Sequence, residues 1–227
     1  MKNFFVSIII YFLSATSIYS HVEHYSDFNE LKYELFRNDK LIGYHNYDFI
    51  RNGSELVVKS DVKFKIRKLG VDLYNYEAKS EEVYENNKFI KFSSKTNQNK
   101  KQKYVNIVVE SKNQELLVDG SSFKGKTSVE HIVGTWWNHE IVKAKAQISA
   151  ISGRVIQQKV TFVGKEDISI DGKAYKCLHF NFASSDENLP KEKKLNTDIW
   201  YEESSRMWIK ASFKKSGNWE YRLKSKK

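Results

Sequence analysis

Along most of the chain, apolar and polar residues alternate one for one. In VKFKIRK, Val62, Phe64 and Ile66 alternate with Lys63, Lys65 and Arg67. RMWIKASFKK sets Met207, Ile209, Ala211 and Phe213 against Trp208, Lys210, Ser212 and Lys214. NWEYRLK does the same with Trp219, Tyr221 and Leu223 against Glu220, Arg222 and Lys224. A period of two puts each set on its own face of a strand, so these stretches read as half-exposed strands. Short polar pairs punctuate them: Asn38-Asp39, Asn52-Gly53, Asn86-Asn87, Lys112-Asn113, Asp119-Gly120, Ser152-Gly153, Asp171-Gly172 and Ser216-Gly217. Asn, Asp and Gly accept the positive φ of tight hairpin turns. Many of these pairs stand about a dozen residues apart, the beat of an up-and-down antiparallel sheet.

That beat predicts about ten strands, too many for a flat open sheet. The expected fold is mainly β. It is a single strongly curled antiparallel sheet or a partly closed up-and-down β-barrel, one domain over residues 21–227. An aromatic fraction of 14% suits strands. One segment departs from the rhythm. TWWNHEIVKAKA, residues 135–146, offers Thr135 as an N-cap and roughly helical spacing of Trp136, Trp137, Ile141 and Val142. It predicts a short helix lying across one end of the sheet.

The start of the chain sets the compartment. MKNFFVSIIIYFLSATSIYS has a basic Lys2 and an apolar run from Phe4 to Leu13. That run has the length of a signal-peptide core and about half of what a membrane-spanning helix needs. Residues 1–20 are expected to be a signal peptide cleaved near Ser17 or Ser20, which sends the chain to the periplasm. Cys177 is the only cysteine, so no intramolecular disulfide forms. The formal charge of +10 would suggest nucleic acid in the cytoplasm. In an exported chain it points instead to anionic headgroups and envelope polymers.

Candidate chemistry is sparse. Trp136 and Trp137, followed by Asn138 and His139, have the make-up of an apolar pocket rim with polar contacts. In KCLHF, a strand places Tyr175, Cys177, His179 and Asn181 on one face and Leu178, Phe180 and Phe182 on the other. The second set reads as core. Cys177, His179, His131 and His139 are zinc-type ligands without compact ligand spacing. His21 would become the new N-terminus after cleavage at Ser20, a position from which an amine and imidazole can hold copper. Asp198 and Glu202 share a strand face with Trp200, as in a sugar subsite, whereas Glu81-Glu82 and Glu202-Glu203 are neighbours that face opposite ways. No phosphate loop, nucleophile elbow or zinc-protease helix is present. No catalytic residue, no metal and no cofactor is expected.

The order of motifs carries a resemblance. YELFRNDKLIGYHNYDF is followed by FKIRKLGVDLYNYEAKSEEVYEN, then TWWNHE, ISGRV and DIWYEESSRMWIKASFKKSGNWEYRL. In this order the chain resembles a family of exported bacterial proteins known as domain-of-unknown-function family 6134. The resemblance implies an antiparallel, barrel-like periplasmic fold, distantly similar to lipoprotein-carrier half-barrels, and supplies no catalytic residues. The expected function is a monomeric, non-enzymatic binding or carrier protein for an apolar or amphiphilic envelope ligand such as a lipid. Its expected ligand contacts are Trp136, Trp137, Asn138, His139, Tyr175, His179 and Trp200. The alternatives are an assembly factor that contacts another envelope protein and, third, a hydrolase acting on sugar or lipid through His139, His179 or Asp198. An anionic membrane surface is a further expected partner; nucleic acid is not.

Overall fold

The computed structural model describes Tyr25 and residues 27–110 and 114–227. The expected signal peptide and cleavage point, His21 and the expected Lys112-Asn113 turn lie outside them. Fifteen strands follow in chain order: β1 (Glu30–Arg37), β2 (Lys40–Asn52), β3 (Glu55–Lys68), β4 (Val71–Glu85), β5 (Lys88–Gln98), β6 (Lys101–Glu110), β7 (Glu115–Gly120), β8 (Lys124–Ser128), β9 (Ile132–Val133), β10 (Ala146–Ile148), β11 (Val155–Ile170), β12 (Lys173–Ser184), β13 (Asn196–Glu202), β14 (Trp208–Lys214) and β15 (Asn218–Lys226). They form one sheet in the order β8-β7-β6-β5-β4-β3-β2-β1-β15-β14-β13-β12-β11-β10-β9. Every contact is antiparallel except β9 with β10. The β1–β15 pairing brings the two ends of the fold together at the middle of the sheet. The predicted single antiparallel β architecture is the observed one, with more strands than the turn pairs alone indicated.

The two edge strands, β8 and β9, are consecutive in the chain, separated only by residues 129–131. Four residue steps reach about 14 Å at most. The two edges are therefore close at that end, and the sheet must curl almost onto itself. A second contact draws it together. The loop after β10 runs across to the opposite half of the sheet, where Ser122 N, between β7 and β8, donates to Ser152 O (2.8 Å) and Ser94 Oγ of β5 to Ala150 O (2.5 Å). Gly120 makes this approach possible, because a Cβ there would sit 2.7 Å from Ser152 O.

The alternation predicted from sequence holds where the ladder is regular. Val62 and Phe64 are buried, and Lys63 and Arg67 are not. It fails at Trp208, expected on the polar face and completely buried. The register between β13 and β14 shifts between Trp200 and Tyr201, so Met207, Trp208 and Ile209 are all buried. A bulge places two residues opposite one and breaks the period of two. The far half of the β11–β12 hairpin bends back towards β15, where Asp171 at its tip meets Lys224 at 3.2 Å. This buries Tyr175 and Cys177, while Leu178 and Phe180 of the predicted core face are only half-buried.

The segment expected as a helix over 135–146 is mostly turn, and only His139–Val142 forms a single 3₁₀ turn. Asn138, not Thr135, caps it, its side chain accepting from Glu140 N at 3.1 Å. The reason is local. Trp136 has a φ of +61°, which stops a right-handed helix from starting at Thr135. A second 3₁₀ turn, Lys191–Lys193, lies in the β12–β13 loop.

If the loop after β10 holds the curl closed, Gly120→Ala will push it off. Unfolding in urea should show a loss of about 1–3 kcal/mol. Gly164→Ala, where a Cβ meets nothing within 4 Å, should be neutral.

Candidate functional site

The chain from Gly134 to Lys145, ahead of β10, fills the concave face of the curl as a plug, and its fastenings come from strands on both flanks. From β2, the Tyr47 hydroxyl donates to Thr135 O. From β13, the Tyr201 hydroxyl donates to Trp136 O at 2.9 Å. Tyr25 accepts from His139 N at 3.0 Å. On the return path, Gln158 donates to Ile141 O (3.1 Å) and Ala144 O (2.9 Å) while accepting from the Gln147 amide at 2.7 Å. Buried side-chain amides need such partners, and here they lock the plug's exit.

The positive φ at Trp136 sends the adjacent indoles to opposite walls. Trp136 packs edge-on against Trp208 and Tyr221, ring centroids 5.5 Å away in each case. Trp137 turns towards Tyr25, Phe49 and Tyr84, at 5.3, 5.4 and 5.8 Å, and is completely buried. Its indole N–H donates to Glu82 Oε2 at 2.5 Å, and Thr135 Oγ1 lies 3.2 Å from the same oxygen. Glu82 is itself buried. Desolvation raises its pKa to about 7, against the lowering effect of the bonds from Trp137 and Thr135.

Between Trp136 and the sheet lies a cavity of about 160 Å³, walled by His45, Tyr47, Tyr76, Thr96, Trp136 and Tyr221. Ser60, Ser80 and Ser94 also line it. His45 Nε2 is buried without a hydrogen-bond partner among the described residues. Burial lowers the His45 pKa to about 3, so the ring is neutral near pH 7 and offers one donor and one acceptor. A larger cleft of about 540 Å³ lies beside the 3₁₀ turn, between Tyr84 and Phe89 and the 129–133 connection, with Asn138 on its wall.

The remaining predicted residues gather elsewhere. His139 packs against Tyr201 (6.2 Å). His179 and Trp200 pair across β12 and β13, on the face opposite Ile199 and Tyr201. There His179 Nδ1 lies 2.7 Å from Glu166 Oε1 and Nε2 lies 3.1 Å from Asp198 Oδ1. The two ring nitrogens point apart, so these carboxylates cannot converge on one cation. His179 stacks on Trp200 at 4.2 Å, and Lys210 lies over the same indole at 5.1 Å. They come from the strands flanking β13, so neither face of Trp200 is left for a sugar ring. Glu166 also accepts from the Trp200 indole at 2.9 Å, which holds its pKa below the usual carboxylate range. Tyr175 is buried in the hairpin under Lys173 (4.9 Å). His131 bonds Thr127 Oγ1 at 2.6 Å. Among the described residues, no three His, Cys, Asp or Glu side chains are placed to hold a metal.

Residues 33–224 match the family described as "Domain of unknown function (DUF6134)". The chain belongs to that family. Among solved structures it is similar to the beta-barrel-like protein of domain of unknown function DUF1849 from Brucella abortus, with a TM-score of 0.62 at 12% identity. That likeness covers 87% of this chain and 96% of the other, and shows a shared barrel-like fold. A DUF1329 family protein from Desulfovibrio piger aligns over 90% of this chain and 88% of its own at 9% identity, with a TM-score of 0.22. No curated protein matches.

Two residues of the interior, Glu82 and His45, were not among the expected contacts. Both had a signal. Glu82 shares its strand face with Tyr76, Ala78, Ser80 and Tyr84, and His45 shares its face with Tyr47 and Phe49.

A carboxyl whose pKa is raised on folding binds its proton more tightly in the native state. The stability it contributes is full below about pH 4.5 and is lost as pH rises towards 7. Glu82→Gln keeps an acceptor for Trp137 and Thr135 but cannot ionise. Relative to wild type, its unfolding free energy should gain on the order of 2–3 kcal/mol between pH 5 and pH 8. Denaturant titrations across that range read the difference. An unchanged difference would mean Glu82 is not desolvated as described.

Proposed function

We propose that this protein is a non-enzymatic binding protein of the bacterial envelope that holds a small amphiphilic molecule between its plug and the curled sheet. The reading is supported above all by the cavity beside Trp136. It has aromatic walls, several hydroxyls and one buried imidazole nitrogen without a partner. That combination of apolar surface with few polar groups is what binding pockets use for affinity and orientation. At about 160 Å³ it is close to the roughly 150 Å³ that accepts a benzene-sized molecule. The ligand class is therefore one ring or a short chain carrying a hydroxyl or amine, the polar end directed to His45. A diacyl lipid fits only if the plug leaves.

Of the expected contacts, Trp136 serves this site directly. Trp137, Asn138 and His139 serve it by holding the plug. His179 and Trp200 belong to the other face, Tyr175 is buried in the far half of the β11–β12 hairpin, and none of the three lines the cavity. The apolar run from Phe4 to Leu13, of signal-peptide length, and the formal charge of +10 support the envelope part of this reading. Assembly through a free sheet edge has less support: β9 is two residues long, and β8 carries Lys124 and Lys126, which discourage edge-to-edge pairing.

Ala78 lines the cavity, and Ala78→Leu fills it. Native mass spectrometry of gently purified protein, followed by titration of short-chain alcohols and phenols against tryptophan emission, should find binding to wild type. Binding to Ala78→Leu should be at least roughly tenfold weaker, with melting temperature equal or higher. Equal binding by both proteins, or none by wild type, defeats the reading.

A further inference from the structure

The longest hairpin outruns its neighbours. Pairing of β3 with β2 stops at Phe64, and pairing of β4 with β5 begins at Tyr76. Beyond these points Lys65, Ile66, Arg67 and Lys68 pair only with Asn75, Tyr74, Asp72 and Val71. Residues 65–75 therefore project as a two-stranded ribbon. The β5–β6 turn braces its base, with Asn99 Oδ1 accepting from Asn75 N at 2.6 Å and Asn99 N donating to Asn75 O at 2.9 Å.

The ribbon's tip is apolar and exposed. Leu69 is 95% exposed, Val71 60% and Leu73 53%. The turn itself is unusual. Leu69 has a φ of +50°, and Gly70 follows at +80°. In the comparable turns the first positive-φ position is held by Asn38, Asn86, Asn99, Asp171 or Ser216. Those are mostly residues that tolerate the left-handed region, which a leucine enters at a cost. Folding thus gains nothing from Leu69, neither burial nor turn geometry. Behind the tip, down to the ribbon's base, the charge is positive. Lys68, Lys100 and Lys101 are exposed and make no ion pair among the described residues, whereas Arg67 (2.6 Å) and Lys65 (3.6 Å) share Asp72.

We propose that this ribbon is a membrane-docking finger. Leu69, Val71 and Leu73 enter the outer acyl region of a bilayer while Lys68, Lys100 and Lys101 meet its anionic headgroups. An apolar point with cations set behind it has the two components of interfacial binding, buried apolar area and attraction to negative lipid. The finger works independently of the cavity, and holds the protein at the surface from which an amphiphile would come.

The test uses protein beginning at His21, which contains the whole described fold and lacks the apolar leader. It should co-sediment with vesicles containing phosphatidylglycerol and bind phosphatidylcholine vesicles roughly tenfold less. Leu69→Asn supplies the residue such a turn favours, so the melting temperature should hold or rise while vesicle binding falls about tenfold. Lys68→Gln with Lys100→Gln and Lys101→Gln should weaken binding at low salt and flatten its salt dependence. The proposal is overturned if wild type ignores anionic vesicles. It is equally overturned if Leu69→Asn binds as wild type does, since charge alone then suffices. Destabilisation by Leu69→Asn would give that leucine a structural role and overturn it too.

Discussion

The bond from the Trp137 indole to the buried carboxylate of Glu82 ties the plug to β4. The interior arrangement depends on it. A sheet this long coils because each strand is rotated relative to the next, and its concave face then has to be filled by something. Here the chain fills it with its own residues 134–145, ahead of β10. The plug contributes few backbone ladder bonds, so side chains from β2, β4, β11 and β13 have to satisfy its carbonyls and amides. A buried carboxylate without a cation is costly. It is kept where three donors converge on it: Trp137, Thr135 and, more distantly, Tyr84 at 3.4 Å.

The same anchoring explains why the two neighbouring indoles do different work. With Trp137 committed to Glu82 and to the ring cluster of Tyr25, Phe49 and Tyr84, the backbone at Trp136 must reverse its direction. The reversal presents the second indole to the opposite wall, where it stops short of Tyr76 and Thr96 and leaves the cavity. The space beside the plug is thus a consequence of how the plug is held. Its polarity follows from the strand faces that border it, which carry Ser60, Ser80 and Ser94 among the aromatics.

The face beyond the plug follows other rules. The group of His179, Glu166, Asp198, Trp200 and Lys210 resembles a site in its residue types, yet each member is occupied by another. Stacking and ion pairs consume the surfaces a ligand would need. The exposed finger of β3 and β4 is the contrary case, where apolar side chains stand largely in solvent, with cations on the same ribbon and at its base.

Alternation in the sequence determined the strands, the antiparallel class and most of the inward faces, because a residue's side of a strand depends only on its own position in the chain. Tight turns such as Asn38-Asp39 and Asp171-Gly172 were legible for the same reason: their backbone demands are local. Tertiary structure decided the rest. Trp208 is buried because a register shift against β13 moved it, and that shift depends on the partner strand. The segment 135–146 could not be recognised as a plug from its helix-forming residues, since Glu82, Tyr47 and Tyr201 hold it from far along the chain. Trp136 and Trp137 stand out in the sequence as a pair, but only the fold gave one to a cavity and the other to a carboxylate. Which of two neighbouring side chains meets empty space is a property of everything packed around them, and no local pattern encodes it.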